Sequence, residues 1–322
     1  CGKLTTPEYV VDKATKLETI YNRIHEIRMR FEVLLRDVEI DAYRRRLSGE
    51  IDAATFQQEV EEARREIVDD FAFVAECNIG GEFMGEEKID RLSRIAARTW
   101  LRHLDDRLGI SHDEIVLKAA TPAPALPVRE PLLADKPEHI VPRSDPDPFG
   151  DNPYGFKMEA PAHQYNLGEI YNLSIRKGTL SAEDRFKINE HIIQTIVMLK
   201  RLPFPENMKH VPDIAGSHHE TMNGTGYPRA LKKADMSIPE RIMAIADIFE
   251  ALTAADRPYQ KPKSLSEALH VMSVMRDDQH IDADLFDLFL QSGVYRRYAE
   301  RYLDPAQADY VDSESYQSDA GT

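Results

Sequence analysis

The sequence predicts an all-α protein on three observations. Apolar residues recur at three- and four-residue spacing through long stretches, nothing reads as an alternating strand of convincing length, and 42% hydrophobic with 30% charged residues is the balance of a soluble globular chain. At 322 residues the chain is long enough for two domains, or for one domain with a large insertion.

The elements follow in order. Residues 14 to about 48 place Leu17, Ile20, Ile24, Ile27, Phe31 and Leu34 on one face, with Glu, Arg and Asp between them, and predict one long amphipathic helix. A second is expected from about Asp52 through Phe56, Val60 and Ile67, stopping where Gly80 and Gly81 break it. A third carries Ile89, Leu92, Ile95, Ala96 and Trp100 on one face. These three make a helical segment over 14–118, and their faces are those of core or coiled-coil packing. Residues 119–165 are rich in proline without either periodicity and read as a linker. Helical patterns return at 181–200, 239–254, 264–276 and 283–292, and residues 304–322 form an acidic tail of small residues, expected to be disordered.

Composition bounds the function. A formal net charge of -15 disfavours a nucleic acid polymer as partner, since that partner asks for a basic face. Cys1 and Cys77 make no disulfide framework, and no apolar run approaches the roughly 18 residues of a membrane span. A cytoplasmic location is the simplest expectation. Opening on Cys1 fits a lipoprotein-like processed start or a fragment.

The chemistry concentrates in "SHHETMNGTGYP", residues 217–228. Neighbours on a regular helix point about 100° apart, so His218 and His219 can share a metal only where the backbone turns, and Gly224 and Gly226 are expected to supply that turn. His191 sits among Phe186, Ile188, Ile192 and Ile196, which look buried, and Asp247 sits in the apolar "RIMAIADIFEALTA". A carboxylate on so apolar a helix is costly to bury unless paired or metal-bound. Taken singly, His191 also fits a satisfied core histidine, and Asp247 a cap or ion pair. Together, three imidazoles and a carboxylate point to a hydrolytic metal site.

"KGTLSAEDRFKINEH", "HHETMNGTGYP" and "ADIFEALTAADRPYQK" resemble the HD-GYP domain, an all-helical phosphohydrolase of the HD superfamily, over roughly residues 176–303. The resemblance implies a helical bundle with a GYP loop, its core at 166–303, interrupted by the long helical insertion. It implies that His191, His218, His219 and Asp247 are metal ligands, that Tyr227 lies in the substrate-facing loop, and that Arg257 and Lys261 bind a substrate phosphate. It implies two or three divalent ions, iron or manganese foremost, with zinc, nickel or magnesium as others. The activity it implies is hydrolysis of cyclic di-GMP to pGpG or GMP, with a diguanylate cyclase as a partner at the GYP loop. The alternative is a noncatalytic signalling module that binds nucleotide or that cyclase.

The name-giving His-Asp pair is missing from its expected setting, because His112-Asp113 is followed by "EIV". Gly2, Lys3, Pro7, Val10, Val11 and Lys13 fit the family's pattern if the dyad occupied the two positions ahead of Cys1. On that expectation residues 1–13 are the remnant of the HDxGK segment, Lys3 contacts the scissile phosphate, and this chain holds an incomplete site. Asn223 stands where the family usually has Asp.

Overall fold

The computed structural model describes residues 13–17, 21–81, 83–145, 148–254 and 262–316. These divide into two compact units, one drawn from 1–146 and 161–185, the other from 147–160 and 186–322.

The first unit is built on a helical hairpin, α1 (Ile24–Leu47) packed on α2 (Ala53–Ile79). The amphipathic face of α1 is buried at Ile24, Ile27, Phe31 and Leu34, as its spacing requires. The helix starts later than the sequence pattern suggests: the Asn22 side chain accepts the Ile24 N–H at 3.1 Å, and Leu17 lies 94% exposed. A short polar side chain offering its own acceptor competes with helix at that point. Asp52 caps α2 by accepting the Thr55 N–H at 2.8 Å, and Gly80 ends it at a φ of 74°, a conformation that favours glycine.

The third predicted helix divides. α3 covers Glu86–Ala96 and buries Leu92, Ile95 and Ala96, but Trp100 belongs to a strand, β1 (Thr99–Arg102). A short helix, α4 (His112–Lys118), follows, closed by a capping box between Ser111 and Glu114. The stretch read as a linker then supplies β2 (Val128–Pro131), antiparallel to β1 with Trp100 opposite Glu130. β3 (Ile140–Pro142) pairs antiparallel with β4 (His163–Asn166). Pro131 and Pro142 stand at strand ends, where a missing N–H does least harm. Leu132 and Leu133 are fully buried in the core with Phe31, Ile67 and Leu92. Each such side chain contributes about 1.5–3 kcal/mol by leaving water.

A buried ion pair stitches this unit. Arg30 on α1 donates to Glu169 at 2.9 Å and to the Leu132 carbonyl at 3.1 Å, and Glu169, at the start of α5 (Glu169–Leu173), also accepts the Ala134 N–H at 2.9 Å. Residues far apart in sequence are thereby held by one carboxylate.

The second unit is helical: α6 (Ala182–Lys200, counted here from residue 186), α7 (Val211–Gly216), α8 (Ile238–Thr253), α9 (Leu265–Asp277), α10 (Ala283–Gln291) and α11 (Val294–Tyr302). Its main core joins Phe249, Leu269, Met272, Phe286, Leu290 and Tyr295. Ser264 with Glu267 caps α9, and Asp282 caps α10. The start of the expected disordered tail is ordered instead: the Gln307 amide donates to the Thr253 and Lys263 carbonyls, both at 3.0 Å, and Val311 is buried in this core. Asp309 also accepts from Ser264 Oγ and from the Ser266 N–H, both at 2.9 Å, so even an acid of this stretch is tied to the start of α9. Among the described residues no helix is long and apolar enough to cross a membrane.

Candidate metal centre

Each histidine of the cluster is placed by a different local device. α6 buries Ile192, Ile193 and Ile196, which turns His191 to the opposite, exposed side. Ile188, expected to be buried, is 52% exposed on that same side. The His191 Nδ1–H donates to the Ile188 carbonyl at 2.6 Å, which leaves the Nε2 lone pair free.

His218 and His219 follow α7 directly, and the backbone turn that lets neighbours converge comes from the end of that helix. Ser217 leaves helical geometry at φ -117°, ψ 3°. Gly224 and Gly226 act elsewhere: Gly224 turns the loop at a φ of 83°, while a Cβ on Gly226 would sit 2.5–2.6 Å from main-chain atoms of His219, Glu220 and Thr221. Gly216 has a packing role of its own, since a Cβ there would overlap the Ile196 side chain of α6. The His218 Nδ1–H donates to the Ala215 carbonyl at 2.9 Å, again leaving Nε2 free.

The result is convergence. One ligand atom from each of His191, His218 and His219 lies within 4.8 Å of the others, and the His218 and His219 ring centroids are 4.2 Å apart. Asp247 on α8 brings Oδ2 to 3.9 Å from His219 Nδ1, beside the histidine group rather than within its mutual spacing. Asp247 is not the buried acid that its apolar helix suggests: its side chain is 40% exposed. Burial, together with the neighbouring His218, holds the His219 pKa down to about 4, so this ring is neutral at pH 7 and has a lone pair to give.

Tyr227 closes one side. Its ring stacks on His219 at 4.8 Å and 28°, and its N–H donates to the His219 carbonyl at 3.1 Å. Burial, with the Asp247 carboxylate nearby, pushes the Tyr227 hydroxyl up to about 12, so it stays a proton donor at neutral pH. Lys3, Arg257 and Lys261 lie outside the described residues. His112-Asp113 begins α4 in the first unit and has no part in this cluster.

Sequence reasoning gave Glu220 no role, although it stands beside the two histidines. It is 1% exposed, and its carboxylate accepts the Arg229 N–H at 2.7 Å and the Leu231 N–H at 2.8 Å, fixing the far end of the Tyr227 loop. Burial pushes its pKa up, against those two donors. Arg229 in turn donates to the Ser217 hydroxyl at 2.9 Å. An acid quoted next to two ligand-type residues was the available signal.

An all-helical unit with histidines on successive elements and a carboxylate on a third is the frame of an HD-type site. Residues 127–285 match the family model described as HD domain, and the chain carries an HD-superfamily domain of the HD-GYP type. Among curated proteins, the chain is similar to a 3′3′-cGAMP-specific phosphodiesterase 1 of Vibrio cholerae, 44% identical over 131 residues, which is 40% of this chain and 30% of that protein. It is similar to a cyclic di-GMP phosphodiesterase of Thermotoga maritima at 30% identity over 147 residues, 44% of this chain and 39% of that protein. It is also similar to a 3′3′-cGAMP-specific phosphodiesterase 3 of Vibrio cholerae at 35% identity over 123 residues, 37% of this chain and 25% of that protein. The matched region is thus well under half the length of each of these relatives.

Proposed function

We propose that this chain forms the metal-binding part of a phosphodiesterase that hydrolyses 3′,3′-linked cyclic dinucleotides, cyclic di-GMP or cyclic GMP-AMP. The observation that supports it most is the meeting of three imidazoles within 4.8 Å beside a carboxylate. Nitrogen and carboxylate donors without thiolate suit first-row divalent cations such as iron or manganese, and two Nδ1–H groups already committed to carbonyls leave Nε2 turned to a ligand's role. His191, His218 and His219 would hold the ion, with Asp247 as the carboxylate at its side. A bound divalent cation polarises a phosphodiester oxygen and makes a nucleophile available from water at neutral pH.

The chain's own groups do the positioning. Tyr227 shields one face of His219 and presents a protonated hydroxyl to the substrate phosphate. Lys3 at the scissile phosphate, and Arg257 and Lys261 at the other, belong to the same proposal. So does a diguanylate cyclase docking on the Tyr227 loop.

The test is hydrolysis of both cyclic dinucleotides by the full-length protein loaded with manganese or iron, beside a His218→Ala variant, with products separated by chromatography. Linear dinucleotide or mononucleotide from the parent alone is expected. Equal turnover by both proteins removes His218 from the mechanism and overturns the proposal.

A further inference from the structure

The second unit contains a segment that the sequence assigns to the proline-rich linker. Residues 147–160 belong to it by their packing, although the chain on both sides of them belongs to the first unit. Phe156 is 6% exposed and packs with Ile192, Ile193 and Ile196, the buried face of the helix that displays His191. Phe149, Tyr154, Met158 and Tyr227 pack against the same cluster. The Lys157 N–H donates to the Pro228 carbonyl at 2.7 Å, one residue beyond Tyr227.

The segment is itself braced. Asn152, at a φ of 46°, donates from Nδ2 to the Phe156 carbonyl at 2.7 Å and accepts the Phe156 N–H on Oδ1 at 2.8 Å. One side chain thus closes the loop that presents Phe156, in a backbone conformation that Asn tolerates better than most residues. Besides the Tyr227 N–H bond to the His219 carbonyl, the Tyr227 loop is therefore held by the Glu220 carboxylate at Arg229 and Leu231 and by this segment at Pro228, and the Tyr227 ring packs against the cluster that Phe156 shares with Ile192, Ile193 and Ile196. The Glu220 bonds lie beyond Pro228, whereas the segment's bond falls on Pro228 itself, next to Tyr227.

We propose that residues 149–158 form a strap that holds Tyr227 stacked on His219, with Phe156 as its positioning residue and Asn152 as its brace. Phe156 touches no substrate; it acts through Tyr227. The consequence for turnover rests on the phosphodiesterase proposal above, whereas the consequence for the ring stack does not.

Two readouts separate these. In the metal-free full chain with carbon-13 labelled histidine, the His219 ring resonance senses the Tyr227 ring current. Tyr227→Ala should move it, Phe156→Ala should move it in the same direction, and Phe156→Leu should restore it most of the way, while His112, in the first unit, stays put as an internal reference. Should Phe156→Ala fail to fold, Asn152→Ala decides, because it opens the strap without emptying the core: a shift in the same direction supports the strap, an unmoved His219 overturns it. In the manganese-loaded full-length protein, Phe156→Ala should raise KM for the cyclic dinucleotide about tenfold with kcat within about twofold, since a misplaced contact weakens binding before chemistry. The effects of Phe156→Ala and Tyr227→Ala should not multiply in the double variant. Independent, multiplying effects overturn the strap. Absence of any hydrolysis by the parent protein overturns the phosphodiesterase reading and leaves the resonance test to judge the strap alone.

Discussion

The Arg30–Glu169 pair of the first unit and the histidine cluster of the second are built from the same kinds of group and finished in opposite ways. Glu169 is spoken for by a guanidinium and a backbone N–H, and the Arg30 donors find a carboxylate and a carbonyl. At the cluster, the Nδ1 sides of His191 and His218 are tied to carbonyls, and one ligand atom from each of the three rings lies within 4.8 Å of the others. The first arrangement is closed among the chain's own groups except at the Arg30 Nε, which is buried without a partner, and it serves the fold. The second brings ligand-type atoms together, and on the metal-centre proposal a cation from outside would complete it.

The comparison can be broken most forcefully at His191. It is exposed, so His191→Ala should leave the thermal midpoint almost unmoved yet lower manganese affinity by at least about 100-fold, read by calorimetric titration. Retained affinity would place the ion elsewhere. The reverse pattern belongs to Glu169→Gln, which leaves Arg30 with the exposed Glu26 as its remaining carboxylate: a loss of about 2 kcal/mol is expected in urea unfolding, with metal affinity in the second unit unchanged.

Asp282 sharpens the point through pH. Burial alone would raise its pKa, but the Arg241 and Lys233 cations and the Leu285 N–H hold it below the usual carboxylate range. A depressed folded-state pKa contributes stability that is present above the unfolded value, about 3.9, and is lost as pH falls through the folded one. Asp282→Asn should therefore cost about 2 kcal/mol at pH 7, and the gap from the parent should narrow as pH drops below about 4. A gap independent of pH would remove the charge from the account. The smallest effect is expected at Asn223, whose Nδ2 donates to the Asp278 carbonyl at 3.1 Å. Asn223→Asp loses that donor at an exposed position and should cost about 0.5 kcal/mol without altering metal affinity.

Much of the helical framework was legible because long periodic stretches announce themselves: α2, α6, α8, α9 and α10 fall where the spacing puts them. The misreadings have local causes. Asn22 delays α1 through a side-chain acceptor, and Trp100 continues an apolar spacing after the helix has given way to a strand. The strands are three or four residues long, and β2 meets its partner across a proline-rich stretch, so no alternation was long enough to read. At the cluster, residue types pointed to the histidines and Asp247, because few other side chains bind cations, and the fold brings those side chains together. Glu220 and Phe156 stayed hidden, since a carboxylate serving backbone N–H groups and a phenylalanine in a linker look ordinary until the fold brings Arg229 and Tyr227 to them.

Gly216 against Ile196 leaves one more consequence. The gap across which His191 faces His218 is set by hydrocarbon touching bare backbone, a contact that yields little. On the metal-centre proposal, an arriving ion would have to suit an opening already made. Sorting among divalent cations would then follow radius and preferred bond length, with the yardstick located in apolar packing at Gly216 and Ile196 rather than in the donor atoms themselves.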